Sequence, residues 1–158
     1  MSQRNNSQTG NVHEAAFIYF ATDRSWEVYG ASVGNDQSAD KIVTKPGVKA
    51  TTVQIKTGTI EAGRKGYAIS VTRGKGGTKR SYAKHDFDVL AVYLPDRKQF
   101  AFWTYDQVAG RKTIRYNPDI HFAPDNWDLL DNVAESLTAS GPTPANVLPH
   151  AVQMSNIP

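Results

Sequence analysis

Three residues with chemistry to offer lie close together in the chain: Asp40 and, beyond a Pro46-Gly47 turn, Gln54 and Lys56. Val48 to Lys56 is rich in Val, Thr and Ile, a composition that favours a strand. Side chains alternate along a strand, so Gln54 and Lys56 share one face while Val53 and Ile55 point to the other, into the core. If Lys41-Ile42-Val43-Thr44 is the preceding strand and pairs antiparallel through the turn, Asp40 comes close to the face of Gln54 and Lys56. One carboxylate, one amide oxygen, the Ile55 carbonyl and one ammonium would then surround a single point. A hard divalent cation, Mg²⁺ or alternatively Mn²⁺, accepts such an incomplete oxygen cage and keeps water in its remaining positions.

The rest of the chain must position these groups. Residues 1–10 carry almost nothing apolar and read as a disordered leader. Asn11 is the expected N-cap of a helix over residues 12–22, with Val12, Ala15, Ala16, Tyr19 and Phe20 as its apolar stripe. Strands are expected over residues 26–32, 41–44, 48–56 and 67–72. Residues 73–80, with three glycines and four cations, read as a flexible surface loop. Phe87 to Leu94 is nearly continuously apolar, the pattern of a strand buried on both faces, and it turns through residues 95–98 into a partner over 99–105. Lys112 to Tyr116 suits an edge strand. A second helix is expected from Asp125 to Leu137, burying Trp127, Leu130, Val133, Ala134 and Leu137. Residues 139–158, with four prolines and small polar residues, read as a flexible tail. The outcome is one α/β domain over residues 11–138, with a central mixed β-sheet flanked by helices.

Composition narrows the function. At 158 residues the chain has the length of one domain, and its 39% hydrophobic content is that of a globular protein. It contains no cysteine, which excludes thiolate metal sites, disulfides and a thiol nucleophile. With no long apolar run either, the expected location is intracellular and cytoplasmic, without a membrane partner. The net charge of +3 conceals an asymmetry: residues 41–84 hold 11 Lys and Arg against 1 acidic residue, between acidic flanks. Such a block is the electrostatic footprint of phosphate-backbone binding. The cations expected to hold DNA are Lys41, Lys45, Lys49, Arg64, Lys65, Arg73, Lys75, Lys79 and Arg80.

The stretch from Glu14 to Trp103 resembles the PD-(D/E)xK nucleases of restriction-endonuclease-like fold, in the variant where Gln replaces the second acid. The resemblance is carried by the leading helix, by Asp40 and Gln54-Ile55-Lys56, and by Tyr82 and the run Asp86-Phe87-Asp88-Val89-Leu90-Ala91-Val92-Tyr93. That run is similar to a strand of small endonucleases associated with group I introns and of resolvase-like proteins. The resemblance implies a metal-dependent DNA endonuclease in which Asp40 binds the metal, Gln54 helps to hold it, and Lys56 orients or activates the attacking water. It also implies that Glu14, in the first helix, completes the site, and that cutting two strands needs a homodimer or homotetramer.

Other readings have weaker support. Asp86 and Asp88 precede a buried strand and suit a structural role there. The four histidines share no metal-ligand spacing, no G-x-S-x-G nucleophile elbow occurs, and Gly74 to Thr78 lacks the spacing of a phosphate loop. Because Gln54 is neutral, the alternative to a nuclease is a catalytically inactive nucleic-acid-binding module of the same fold.

Overall fold

The computed structural model describes residues 6–30, 39–74 and 76–140. The chain forms α1 (Asn6–Asp23), β1 (Glu27–Gly30), β2 (Lys41–Thr44), β3 (Thr51–Thr57), β4 (Thr59–Ile60), β5 (Tyr67–Ser70) and β6 (Thr72–Arg73). It continues through β7 (Arg80–Ser81), β8 (Val89–Leu94), β9 (Gln99–Thr104), α2 (Tyr105–Val108), β10 (Thr113–Tyr116) and α3 (Asp128–Ala139). The central sheet has the order β1-β2-β3-β8-β9; β3 and β8 run parallel and the other neighbours antiparallel, so the sheet is mixed.

Alternation on the inner strands splits the interior into two cores. Val53, Ile55, Val89, Ala91, Phe100 and Phe102 face one side, where Phe17 and Ala21 of α1 and Trp127, Leu130 and Ala134 beside and within α3 pack on them. Leu90, Val92, Leu94, Ala101 and Trp103 face the other side. There Tyr67, Ile69, Ile114 and Tyr116, from the three-stranded sheet β10-β5-β4, close the second core. A run such as Val89 to Leu94 is apolar throughout because both its faces are covered.

Several expectations are corrected. α1 begins at Asn6, within the expected leader, and its buried face is His13, Phe17 and Ala21 rather than the stripe through Val12 and Tyr19, which stand 61% and 69% exposed. Both sets are helically spaced, and the packed face is the one that brings the large Phe17 ring under the sheet. α3 starts at Asp128 rather than Asp125, because Asp125 has a left-handed backbone (φ 60°). Asp125 and Asn126 instead bond the backbone of β9 at Phe100 and Phe102, covering the edge of the sheet. The expected loop over residues 73–80 is closed by the β6–β7 hairpin, with Thr72 opposite Ser81 and Arg73 opposite Arg80. β4 was not anticipated, and β10, an edge strand as expected, borders a second, three-stranded sheet. Most of the expected tail lies outside the described residues.

Candidate active site

β2 and β3 pair antiparallel with Lys41 opposite Val53. That register puts Lys41 on the helix side with Val53, and puts Asp40, one residue earlier, on the opposite side with Gln54. On β8 the residues beside Gln54 and Lys56 are Leu90 and Val92, part of the second core. β3 therefore places an amide and an ammonium where its neighbour places aliphatic side chains, and the sheet face turns polar at that edge.

The backbone N–H of Asp40 donates to the Val53 carbonyl (2.9 Å), which locks the aspartate at the entrance of β2. Its Oδ2 accepts from the Ile55 backbone N–H (2.8 Å) and from Gln54 Nε2 (2.6 Å). Gln54 Nε2 also donates to the Ile55 carbonyl at 3.3 Å. Lys56 Nζ donates to the Thr72 carbonyl (3.1 Å) and stands 5.6 Å from the centroid of the Tyr82 ring. Burial pushes the Asp40 carboxyl above its ordinary range, and the charge of Glu14 adds to this against the Ile55 hydrogen bond and the cations of Lys56 and Lys41. Burial likewise pushes the Lys56 ammonium down, opposed by Asp40 and reinforced by Lys79.

Glu14 is not joined to this group. Its carboxylate pairs with Lys41 at 2.9 Å on the helix side of the sheet, and it reaches Asp40 through its field. Among the described residues no three His, Asp or Glu side chains gather as a metal cluster, so a cation here would depend on the amide and carbonyl oxygens.

The donor set fits such an ion. Gln54 is 6% exposed, and its Oε1 is buried without a hydrogen-bond partner, which costs about 1–3 kcal/mol if left so. Its Nε2 occupies the point between Asp40 Oδ2 and the Ile55 carbonyl. Turning the amide, whose two ends are distinguished only by their hydrogen bonds, directs Oε1 to that point instead. Three oxygens then converge on the face of β3 that carries Lys56, a donor set that suits a hard cation.

The expected cations do not form one patch. Lys45 pairs with Asp131 of α3 (2.9 Å) and lies over Trp26, and the Lys49 backbone bonds Thr138 at the end of α3. Arg64 and Lys65 sit between β4 and β5. Arg73, Lys79 and Arg80 belong to the β6–β7 hairpin beside Lys56, with Arg73 also paired to Asp86 at 3.1 Å. Lys75 lies outside the described residues. Asp88 has a structural place: its Oδ2 accepts from both the backbone N–H and the hydroxyl of Thr52, at 2.9 Å each. Sequence reasoning assigned no role to Tyr82, although its place just after a basic run and before a buried strand is the available signal.

Residues 4–119 match the PD-(D/E)XK endonuclease family, and the chain belongs to that family. Its fold is that of a solved bacterial homing endonuclease, I-Ssp6803I, with a TM-score of 0.70 at 17% identity, covering 88% of this chain and 99% of that one. The restriction-endonuclease-like α/β architecture expected from the sequence is thereby borne out. No curated protein matches the chain. Members of the family generally use divalent metal ions, and among the described residues no helix is long and apolar enough to cross a membrane.

Proposed function

We propose that the protein is a divalent-metal-dependent DNA endonuclease that hydrolyses phosphodiester bonds. The reading rests on the convergence of Asp40, the Gln54 amide and the Ile55 carbonyl beside Lys56, in a chain of the PD-(D/E)XK family. Asp40, Gln54 and the Ile55 carbonyl would hold the ion, Mg²⁺ or Mn²⁺, and Glu14, ion-paired with Lys41 on the helix side, would act on it only through its field. The ion, when bound, supplies Lewis-acid stabilisation of charge developing on the phosphate and lowers the pKa of the attacking water.

The chain's own groups do the rest. The Ile55 N–H and the Val53 carbonyl fix Asp40, so its carboxylate needs no reorganisation during the reaction. Lys56 spends one ammonium hydrogen on the Thr72 carbonyl, leaving two to orient water and to meet the phosphate oxygen that gains charge. Arg73, Lys79 and Arg80 hold the DNA backbone next to Lys56. Phosphate contacts of this kind give affinity and salt dependence rather than sequence choice. A dimer or tetramer of such subunits would cut both strands.

The test is cleavage of supercoiled plasmid and of a four-way junction with Mg²⁺, Mn²⁺ or EDTA. Wild type cuts with either metal and not with EDTA, and Lys56→Ala loses at least about a hundredfold in rate. Equal cleavage by wild type and Lys56→Ala overturns the reading. DNA binding without cleavage by either protein would instead favour an inactive binding module.

A further inference from the structure

Lys56 is placed from outside its own strand. Its ammonium donates to the Thr72 carbonyl on β6 (3.1 Å) and lies 5.6 Å from the Tyr82 ring, which follows β7 directly. Thr72 is opposite Ser81 in the hairpin register, so both anchors come from the same two-stranded element. Between them the hairpin strands carry Arg73 and Arg80.

Tyr82 is built to hold still. It is 7% exposed, and its ring meets Phe87 edge-on at 5.0 Å, while Phe87 in turn meets Tyr105 at 5.6 Å. The Tyr105 hydroxyl donates to the Tyr82 backbone carbonyl (3.1 Å), closing the aromatic set on itself. The Tyr82 hydroxyl makes no hydrogen bond to a described residue, so what Tyr82 offers Lys56 is its ring. A π face attracts an ammonium within about 6 Å of its centroid, and more strongly where water is largely excluded.

Resting on the reading of Lys56 as the catalytic lysine, we propose that Tyr82 is a positioning residue: its ring and the Thr72 carbonyl together fix the Lys56 ammonium over the site. The β6–β7 hairpin then both grips the DNA backbone and sets the lysine that acts on it. The role belongs to the ring, so a phenylalanine fulfils it and a methionine of similar bulk does not.

The experiment compares wild type, Tyr82→Phe, Tyr82→Met and Lys56→Ala in steady-state cleavage of a DNA substrate with Mg²⁺. Alongside it, ¹H–¹³C correlation NMR follows the Lys56 ε-methylene, assigned by its loss in Lys56→Ala. Tyr82→Phe retains kcat within about threefold, whereas Tyr82→Met loses about tenfold or more in kcat with KM within about twofold, the split expected of lost positioning. The Lys56 Hε signals are shifted upfield by the ring in wild type and Tyr82→Phe, and lose that shift in Tyr82→Met. Wild-type kcat in Tyr82→Met, or a loss in Tyr82→Phe as large as in Tyr82→Met, overturns the proposal while Lys56→Ala stays inactive. If Tyr82→Met does not fold, an unshifted Lys56 signal in folded wild type overturns it equally. Full activity in Lys56→Ala would instead remove the underlying reading.

Discussion

The Gln54 amide nitrogen stands 2.6 Å from Oδ2 of Asp40, so a neutral side chain faces the aspartate where a second carboxylate would double the charge. Gln54→Glu therefore raises affinity for Mn²⁺ or Ca²⁺ by about tenfold or more, since one added charge at about 4 Å contributes up to about 4 kcal/mol, offset in part by repulsion from Asp40. Isothermal titration checks this. An unchanged affinity would show that position 54 does not face the ion.

Acidification should stop cleavage earlier than an ordinary aspartate would. Burial first, and then the charge of Glu14, raise the Asp40 carboxyl above its usual 3.8, so the ionised form is lost at a higher pH. Glu14→Gln removes one cause and moves the acid limb of the pH–rate profile to lower pH. The same shift has a sign for stability. A carboxyl whose folded pKa is raised costs stability in full above that raised value, and the cost vanishes as pH falls to the ordinary range. Asp40→Asn thus melts higher than wild type at pH 7.5 while cutting nothing, and the gap closes on acidification. Thermal melts from pH 8 to pH 4 measure it.

If Lys79 and Arg80 hold DNA as proposed, salt dependence locates them. Replacing Lys79 and Arg80 with alanine lowers the slope of log K against log salt by about 1–2, as expected for two lost phosphate contacts. Lys49→Ala, beside the end of α3, leaves the slope unchanged. Fluorescence anisotropy over a salt series with a labelled duplex reads both, and equal effects would spread the binding face over the whole basic stretch.

The packed face of α1 can be read by stability. Phe17 is 0% exposed and stacks on Trp127 at 5.9 Å, so Phe17→Ala costs about 3–5 kcal/mol. Tyr19 is 69% exposed, and Tyr19→Ala stays within about 0.5 kcal/mol. Urea denaturation of the two variants decides the face.

Asp88 ties the start of β8 to β3 through two bonds to Thr52, while its own N–H donates to the Thr52 carbonyl. Asp88→Ala strands the Thr52 N–H and costs about 1–3 kcal/mol with the site chemistry intact. Denaturant midpoints and cleavage rates measured together test that separation.

What the sequence made legible follows from how local each signal is. β2 and β3, the alternation that aims Gln54 and Lys56 away from Val53 and Ile55, and the doubly buried β8 could all be read, because each is written in consecutive residues. The face of α1 could not, since Val12, Ala15 and Tyr19 satisfy helical spacing as well as His13, Phe17 and Ala21 do. Only contact with Phe100 and Trp127 distinguishes the two. The basic block was visible as composition, but strand pairing distributed it, sending Lys45 to Asp131 and leaving Arg73, Lys79 and Arg80 near Lys56. Tyr82 was legible as part of the family pattern, but its relation to Lys56 was hidden, being made wholly by tertiary packing.

The parallel pairing of β3 with β8 separates what can change in this chain from what cannot. Between them the chain must return to the start of the sheet, and the β6–β7 hairpin rides on that return. Lengthening a surface connection there is cheap in chain entropy, about 0.6 kcal/mol for each doubling. A one-residue insertion between Thr51 and Val53 would turn Gln54 and Lys56 into the helix-side core and bring Val53 and Ile55 out beside Asp40. Variation can therefore accumulate on the return segment, while the β2–β3 register that keeps Asp40, Gln54 and Lys56 on one face tolerates no slip.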